Sequence, residues 1–269
     1  QLKLVALDLD GTLLRSDNTI GARTQRALHT AHARGVQIVL NSGRMPPSME
    51  FSADLLPFDV QLIGYNGAQA VGPRAAGRQV LYERPMPLDV ARELMDFARA
   101  RKLQLNWYLD DVIYSEDRPH LRPHIDLYVR RTGSPYRFVE RIEEHLGRAP
   151  YKVLFIVEPS VREELRAELE PRYAPRATVT CTDPEYLEFM HPEVNKGAGL
   201  AGLARSLGLG MHEVMAVGDS DNDEPMIRQA GWGVGVANAR AKVHAAADAI
   251  TPSDCDHDGV AEAIERWVL

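Results

Sequence analysis

The chain has 269 residues, 45% of them hydrophobic and 26% charged, enough to bury a sizeable core as one large or two ordinary domains. A formal net charge of −7 and a pI near 5.7 exclude any general attraction to nucleic acid or to an anionic membrane surface, so anion binding has to be local. No apolar stretch reaches the length of a membrane span, and two well-separated cysteines, Cys181 and Cys255, exclude a disulfide framework.

The chain opens on an apolar run, Leu4-Val5-Ala6-Leu7, that ends abruptly in Asp8-Leu9-Asp10-Gly11-Thr12. Such a run suits a central parallel strand covered on both faces, and sheets of that kind bind ligands beyond the carboxyl ends of their strands. Asp8 and Asp10, two positions apart, would share one side of the strand end, where their charges repel unless a cation lies between them. A run so short and so promptly acidic is unlike a signal peptide, and a reducing, cytoplasmic setting is expected. Gln1 in place of a methionine points to a trimmed start.

Gly21 to Arg34 is a predicted helix with Ala22, Ala27, Leu28 and Ala31 inward and Gly35 as its stop. Val36 to Leu40 is the next strand, and the short return makes it parallel to the first through a right-handed crossover. Its end carries Asn41-Ser42-Gly43-Arg44. A third strand, Val60 to Gly64, runs into Tyr65-Asn66-Gly67-Ala68, and a hairpin is predicted through Gly72-Pro73 and Gly77.

Past Pro85-Met86-Pro87 the pattern changes. The expected elements are a helix over Leu88 to Lys102, strands over Leu103 to Leu109 and Val112 to Ser115, helices over about 138–146 and 161–170, and strands Val153 to Val157, Thr178 to Thr182 and Tyr186 to Met190. Helices and hairpins mixed in this way suggest an α+β insert with an antiparallel sheet over residues 85–190, whose expected job is to cover a site. Beyond it follow a helix over Gly197 to Leu207 and a buried strand, Val214 to Val217, that stops at Gly218-Asp219-Ser220-Asp221-Asn222-Asp223. The helix Glu224 to Ala230, strands Gly233 to Val236 and Ala249-Ile250, and the helix Val260 to Val268 complete a βα alternation. Residues 1–84 and 191–269 therefore form one α/β core, a Rossmann-like parallel sheet, and 85–190 an inserted cap domain.

Four chain segments converge on one face of that core: Asp8 with Asp10, Ser42-Gly43, Asn195-Lys196-Gly197 at a helix start, and Asp219 with Asn222 and Asp223. In order and type they resemble the four motifs of the haloacid dehalogenase superfamily phosphatases, with D-L-D-G-T-L matching the D-x-D-G-T of the first. Asn66-Gly67-Ala68, Pro225-Met226, Asn238-Ala239 and Asp258-Gly259-Val260 extend the match, and an insert between the second and third motifs makes the chain similar to the Cof-type branch. The resemblance implies an Mg²⁺-dependent phosphatase acting on a small phosphorylated metabolite, a sugar phosphate or a phosphorylated cofactor such as flavin mononucleotide or pyridoxal phosphate. Asp8 would be the nucleophile that becomes an aspartyl-phosphate, and Asp10 the proton shuttle. The metal would take Asp8, the Asp10 carbonyl and Asp219, with Asn222 or Asp223 holding its waters. Ser42, the Gly11 and Gly43 amides, Lys196 and Asn222 would bind phosphoryl oxygens, while Arg44 either joins them or makes a structural ion pair.

The residue types agree with that chemistry, since a carboxylate attacks a dianionic ester only where a cation offsets the repulsion and donors hold the phosphoryl group in line. The rivals are a phosphomutase, whose cap would lie between the first two motifs where this chain has one helix, and a metabolite-binding module without turnover. Dehalogenases lack the second acid, here Asp10. Partners reduce to the small metabolite, with no nucleic acid and no membrane, and nothing in the sequence sets an oligomeric state. In the insert, Trp107, Tyr108 and Asp110 are candidate specificity residues, Trp107 with core packing as its main role. His29, His32, His120 and His124 are expected at the surface, and Arg118, Arg122, Arg130 and Arg131 on a solvated face. In Gly231-Trp232-Gly233-Val234-Gly235 the third-glycine position of a dinucleotide fingerprint falls on Val236 and the stretch precedes a strand, so it reads as a helix stop and tight strand entry. Cys255 stands where the family often has Asn.

Overall fold

The first strand, β1 (Leu4–Leu7), is buried on both faces, as an aliphatic run without polar alternation requires. Val5 and Leu7 join a cluster with Leu28, Ile38 and Ile264, while Leu4 and Ala6 face the other way onto Leu200, Leu203 and Met226. The computed structural model describes residues 1–116, 119, 122–145, 147–181 and 184–269. Arg118, His120 and Thr182 lie outside these residues, as do the side chains of His124 and Arg131.

After β1 come α1 (Ala22–Ala33), β2 (Gln37–Asn41), α2 (Pro46–Ala53), β3 (Gln61–Gly64), β4 (Gln69–Val71) and β5 (Val80–Glu83). The middle of the chain supplies α3 (Leu88–Arg101), β6 (Gln104–Leu109), β7 (Val112–Glu116), α4 (Arg122–Thr132), β8 (Tyr136–Val139), β9 (Lys152–Ile156), α5 (Pro159–Tyr173), β10 (Thr178–Thr180) and β11 (Tyr186–Met190). The last third holds α6 (Lys196–Ser206), β12 (Val214–Gly218), α7 (Glu224–Gln229), β13 (Trp232–Gly235), α8 (Ala241–Ala246), β14 (Ala249–Ile250) and α9 (Gly259–Trp267).

These elements fall into two units, Gln1–Glu83 with Asn195–Leu269, and Arg84–Val194. Among the described residues the first unit holds an eight-stranded sheet in the order β14-β13-β12-β1-β2-β3-β4-β5. Pairing is parallel from β14 to β3 and antiparallel through β4 and β5. Strand order runs outward in both directions from β1 and β12, and the crevice beyond the carboxyl ends at such a reversal is where α/β sheets hold ligands. The α/β reading of the core is borne out.

The second unit has a six-stranded sheet, β10-β11-β9-β6-β7-β8. It is antiparallel apart from β7 and β8, which run parallel, against the wholly antiparallel expectation. Trp107, Phe155, Leu187 and Phe189 point to one face, where they pack with Leu94 of α3 and Leu169 of α5. The helix expected over 138–146 is absent. Tyr136 to Val139 instead pair with β7, because aromatic and β-branched residues gain more from a half-covered sheet than from helical spacing, and only one 3₁₀ turn follows at Ile142–His145. Three helices also escaped the periodicity: α2, which starts on Pro46-Pro47 where proline suits the first turn, and the short α8 and charge-rich α4. No helix among the described residues is long and apolar enough to cross a membrane. Both cysteines are free.

Candidate active site

Asp8 directly follows β1, and its amide extends the ladder onto the Val217 carbonyl at 3.0 Å. The backbone therefore delivers its carboxylate to the sheet's carboxyl edge. Lys196, 188 residues later, sits in the first turn of α6, whose N-cap Asn195 accepts the Ala198 amide at 2.9 Å. A helix N-terminus repels a cation, yet the side chain is buried, and its ammonium donates to Asp8 Oδ1 at 2.5 Å and Asp223 Oδ1 at 2.6 Å. Two carboxylates thus outweigh the dipole. Asp223 is fully committed, since its Oδ2 accepts the amides of Asp219 and Ser220 at 3.0 and 2.9 Å.

Asp219, at the end of β12, completes the cluster. Thr12 Oγ1 donates to its Oδ1 at 2.8 Å and Ser220 Oγ to its Oδ2 at 2.9 Å. Among the described residues, Asp8, Asp219 and Asp223 each offer a carboxylate oxygen within 4.8 Å of one another. Of these three buried carboxylates, Asp8 and Asp223 share one ammonium and Asp219 has hydroxyl donors. Burial pushes the Asp8 carboxyl well above the usual carboxylate range; Lys196 pulls it back, while Asp223 and Asp219 push it up again. For Lys196 burial works against the ammonium, and Asp8 and Asp223 together outweigh it, so the amine holds its proton more tightly than usual. The arrangement is short of positive charge, and its oxygen-only donors suit a hard divalent cation.

Around this cluster stand the remaining candidates. Asp10 is exposed, and Arg44 Nη2 donates to its Oδ1 at 2.6 Å, so Arg44 takes the ion-pair alternative in this structure. Ser42 is buried at the end of β2 and its Oγ accepts the Arg44 amide at 3.2 Å. Gly11 has φ 81°, and a Cβ there would lie 2.8 Å from Asp219 Oδ2, so only glycine lets this loop close on the acid. Asn222 is exposed, and its Nδ2 donates to Asn66 Oδ1 at 3.1 Å. Four contributors went unassigned at the sequence level. Thr12, the last residue of the first motif, and Ser220, beside Asp219, could have been found as hydroxyl donors next to lone acids. Asn66 and Asn238, which donates to the Gly11 carbonyl at 2.8 Å, extended the motif match without being given a role.

Of the insert's candidates, Trp107 is a core residue, while the Tyr108 hydroxyl bonds that of Tyr128 and Asp110 pairs with Arg148. His29 and His32 are exposed, with His32 stacked on Phe58 at 4.4 Å.

The α6 start rests on the turn after β3. Gly67 there has φ 102°, and a Cβ would fall 2.1 Å from the Asn195 carbonyl oxygen. Gly67→Ala is expected to destabilise the protein by at least about 1–3 kcal/mol through backbone strain alone, seen as an earlier thermal melt. An unchanged melt would mean that the two segments separate freely.

A mainly parallel sheet carrying acids at its central strand ends, with a buried lysine between them, defines an α/β core whose site suits an anionic ligand held with a hard cation. The family model of haloacid dehalogenase-like hydrolases matches residues 5–264. The chain is 31% identical over 271 residues to 5-amino-6-(5-phospho-D-ribitylamino)uracil phosphatase YcsE of Bacillus subtilis, covering 100% of this chain and 96% of that one. It is 28% identical over 270 residues to an HMP-PP phosphatase of Cronobacter sakazakii, covering 99% and 96%. Among solved structures, a haloacid dehalogenase-like hydrolase from Bacteroides thetaiotaomicron superposes with a TM-score of 0.86 at 31% identity, covering 99% of both chains. The chain belongs to the haloacid dehalogenase superfamily, in its Cof-type phosphatase branch, and is a phosphoric monoester hydrolase.

Proposed function

We propose that this enzyme hydrolyses a small phosphorylated metabolite, a sugar phosphate or phosphorylated cofactor, through an Mg²⁺-dependent aspartyl-phosphate mechanism. The observation that carries the reading is the buried Asp8, Lys196 and Asp223 chain with Asp219 beside it. The two named phosphatases above support the substrate class. Asp8, Asp219 and the Asp10 main chain would hold the ion, with Asp223 supporting the set from behind through Lys196 and the Asp219 and Ser220 amides. Bound there, Mg²⁺ neutralises phosphoryl charge and favours the ionised form of Asp8.

The residues divide the chemistry as follows. Asp8 attacks phosphorus while the bond to the leaving oxygen breaks, and Asp10, exposed and able to exchange protons, protonates that oxygen. Asp10 then takes a proton from the water that attacks the aspartyl-phosphate, which frees inorganic phosphate and restores Asp8. Ser42, the Gly11 and Gly43 amides, Lys196 and Asn222 bind the phosphoryl oxygens and offset their growing charge, while Arg44 holds the Asp10 carboxylate. Residues 1–84 with 191–269 carry the chemistry, and the insert over 85–190 serves as the cap that selects the leaving group.

The test is turnover of p-nitrophenyl phosphate and a panel of phosphorylated metabolites, with Mg²⁺ and with chelator. Turnover is expected only with the ion. Saturating Mg²⁺ at about 100 times its Kd is also expected to stabilise the fold by about 2.7 kcal/mol, raising the melting temperature, and Asp219→Asn should remove both effects. Turnover indifferent to chelator would sink the metal-assisted mechanism.

A further inference from the structure

The turn after β3 is more strained than any connection between a strand and a hairpin needs to be. Tyr65, Asn66 and Gly67 all have positive φ, at 53°, 52° and 102°. Glycine takes such a value freely and asparagine more readily than most residues, but an aromatic residue there is an outlier that its surroundings must enforce. Contacts with two other segments enforce it. The Tyr65 amide donates to the Arg44 carbonyl at 2.9 Å and the Asn66 amide to the Ser42 carbonyl at 3.0 Å. Gly67 is wedged against Asn195 and Gly199 of α6. The turn thus joins the second strand end to the segment that presents Lys196.

What the strain presents is the Asn66 carboxamide. Its Oδ1 accepts from Asn222 Nδ2 at 3.1 Å, a residue 156 positions away on the acidic loop after β12. The same carboxamide lies against Gly43, where a Cβ would approach its Oδ1 to 3.1 Å and its Nδ2 to 3.2 Å. A residue serving only as a turn former needs its backbone, and nothing in turn chemistry asks for a side-chain bond across the sheet edge.

We propose that Asn66 is a positioning residue for phosphate binding: it fixes the rotamer of Asn222 and the place of Gly43, and so sets the two together as donors to one phosphoryl group. This rests on the phosphatase reading above. Asn66 acts through Asn222 and takes no part in the chemical step.

The experiment is a double-mutant cycle of Asn66→Gly, Asn222→Ala and the pair, in the full chain with Mg²⁺, reading kcat and KM for p-nitrophenyl phosphate, competitive inhibition by inorganic phosphate, and thermal melting. Glycine accepts the φ of position 66, so Asn66→Gly removes the carboxamide while leaving the turn. Each single variant is expected to raise KM and the phosphate Ki by about 3- to 10-fold, the size of one polar contact, with kcat held within about two-fold in Asn66→Gly and lowered further in Asn222→Ala, which removes the donor itself. The pair should be no worse than Asn222→Ala by more than about two-fold, because both changes remove one interaction. Asn66→Ala keeps a side chain at positive φ and is expected to lower the melting temperature where Asn66→Gly does not, which separates strain from positioning. Unchanged KM and Ki in Asn66→Gly, a kcat loss without a KM change, or effects that multiply in the pair would each overturn the role while leaving the phosphatase reading intact. A wild type without Mg²⁺-dependent turnover or phosphate binding would overturn that reading and this inference with it.

Discussion

Asp8→Asn is expected to lower phosphate-ester turnover by at least about a thousand-fold while leaving the fold as stable as wild type without metal, or more so. The two halves of this result have one cause. Burial holds the Asp8 carboxyl well above the usual range, so keeping it ionised costs free energy that only Lys196 and a cation offset. An asparagine of the same shape removes that cost and still offers an oxygen to the Lys196 ammonium, which keeps Asp223 as its charged partner at 2.6 Å. Stability is retained and the nucleophile is gone. Rapid acid quench with labelled substrate should trap phosphorylated protein in wild type and none in the variant. Wild-type turnover by Asp8→Asn would remove the aspartyl-phosphate from the mechanism. A sharply lower melting temperature would show instead that the carboxylate serves the fold.

Much of this arrangement was legible in the chain because it rests on local patterns with a single physical reading. Leu4 to Leu7 and Val214 to Val217 are apolar on both faces, which only a covered parallel strand tolerates, and acids at their ends mark the sheet edge where ligands bind. The strand through Leu103 to Leu109, with Trp107 in the core, was likewise expected from its residue types. What was not legible depends on distant partners. Tyr136 to Val139 are a strand because β7 lies beside them, and nothing in those four residues names β7. Lys196 reads as an ill-placed cation at a helix start until Asp8 and Asp223 are brought to it. Asn66-Gly67 extends the motif match without naming a role, and its strained backbone and bond to Asn222 appear only in three dimensions.

Lys196→Met should be the most damaging single change to the fold of the site, lowering stability by about 3–5 kcal/mol at neutral pH and abolishing turnover. Methionine fills the space of the lysine stem, so the loss reports charge and not packing. Removing the ammonium leaves Asp8 and Asp223 buried side by side without a counterion, and their mutual repulsion adds to the cost of burial. The penalty must depend on pH, and the sign follows from linkage. The folded-state pKa of Asp8, raised by burial, loses in the variant the ammonium that pulled it back, so it lies further above its unfolded value: the site is tolerated when Asp8 is protonated and the stability is lost as pH rises through the folded pKa. The deficit against wild type is therefore largest near neutrality and shrinks on acidification toward the ordinary carboxylate range. Wild type shows a smaller loss of the same sign, because burial raises Asp8 there too, but Lys196, whose proton is held more tightly than usual and stays bound, pulls that carboxyl back down. Adding Asp223→Asn to Lys196→Met should restore part of the stability, because the amide keeps an oxygen for the Asp219 and Ser220 amides and removes one orphaned charge. Turnover should not return with it, since the donor to the phosphoryl group remains missing. Melting curves of the three proteins across pH decide the matter: a deficit independent of pH, or a double variant no more stable than Lys196→Met, would mean that the lysine holds the fold by packing and that the charge balance proposed for the site is wrong.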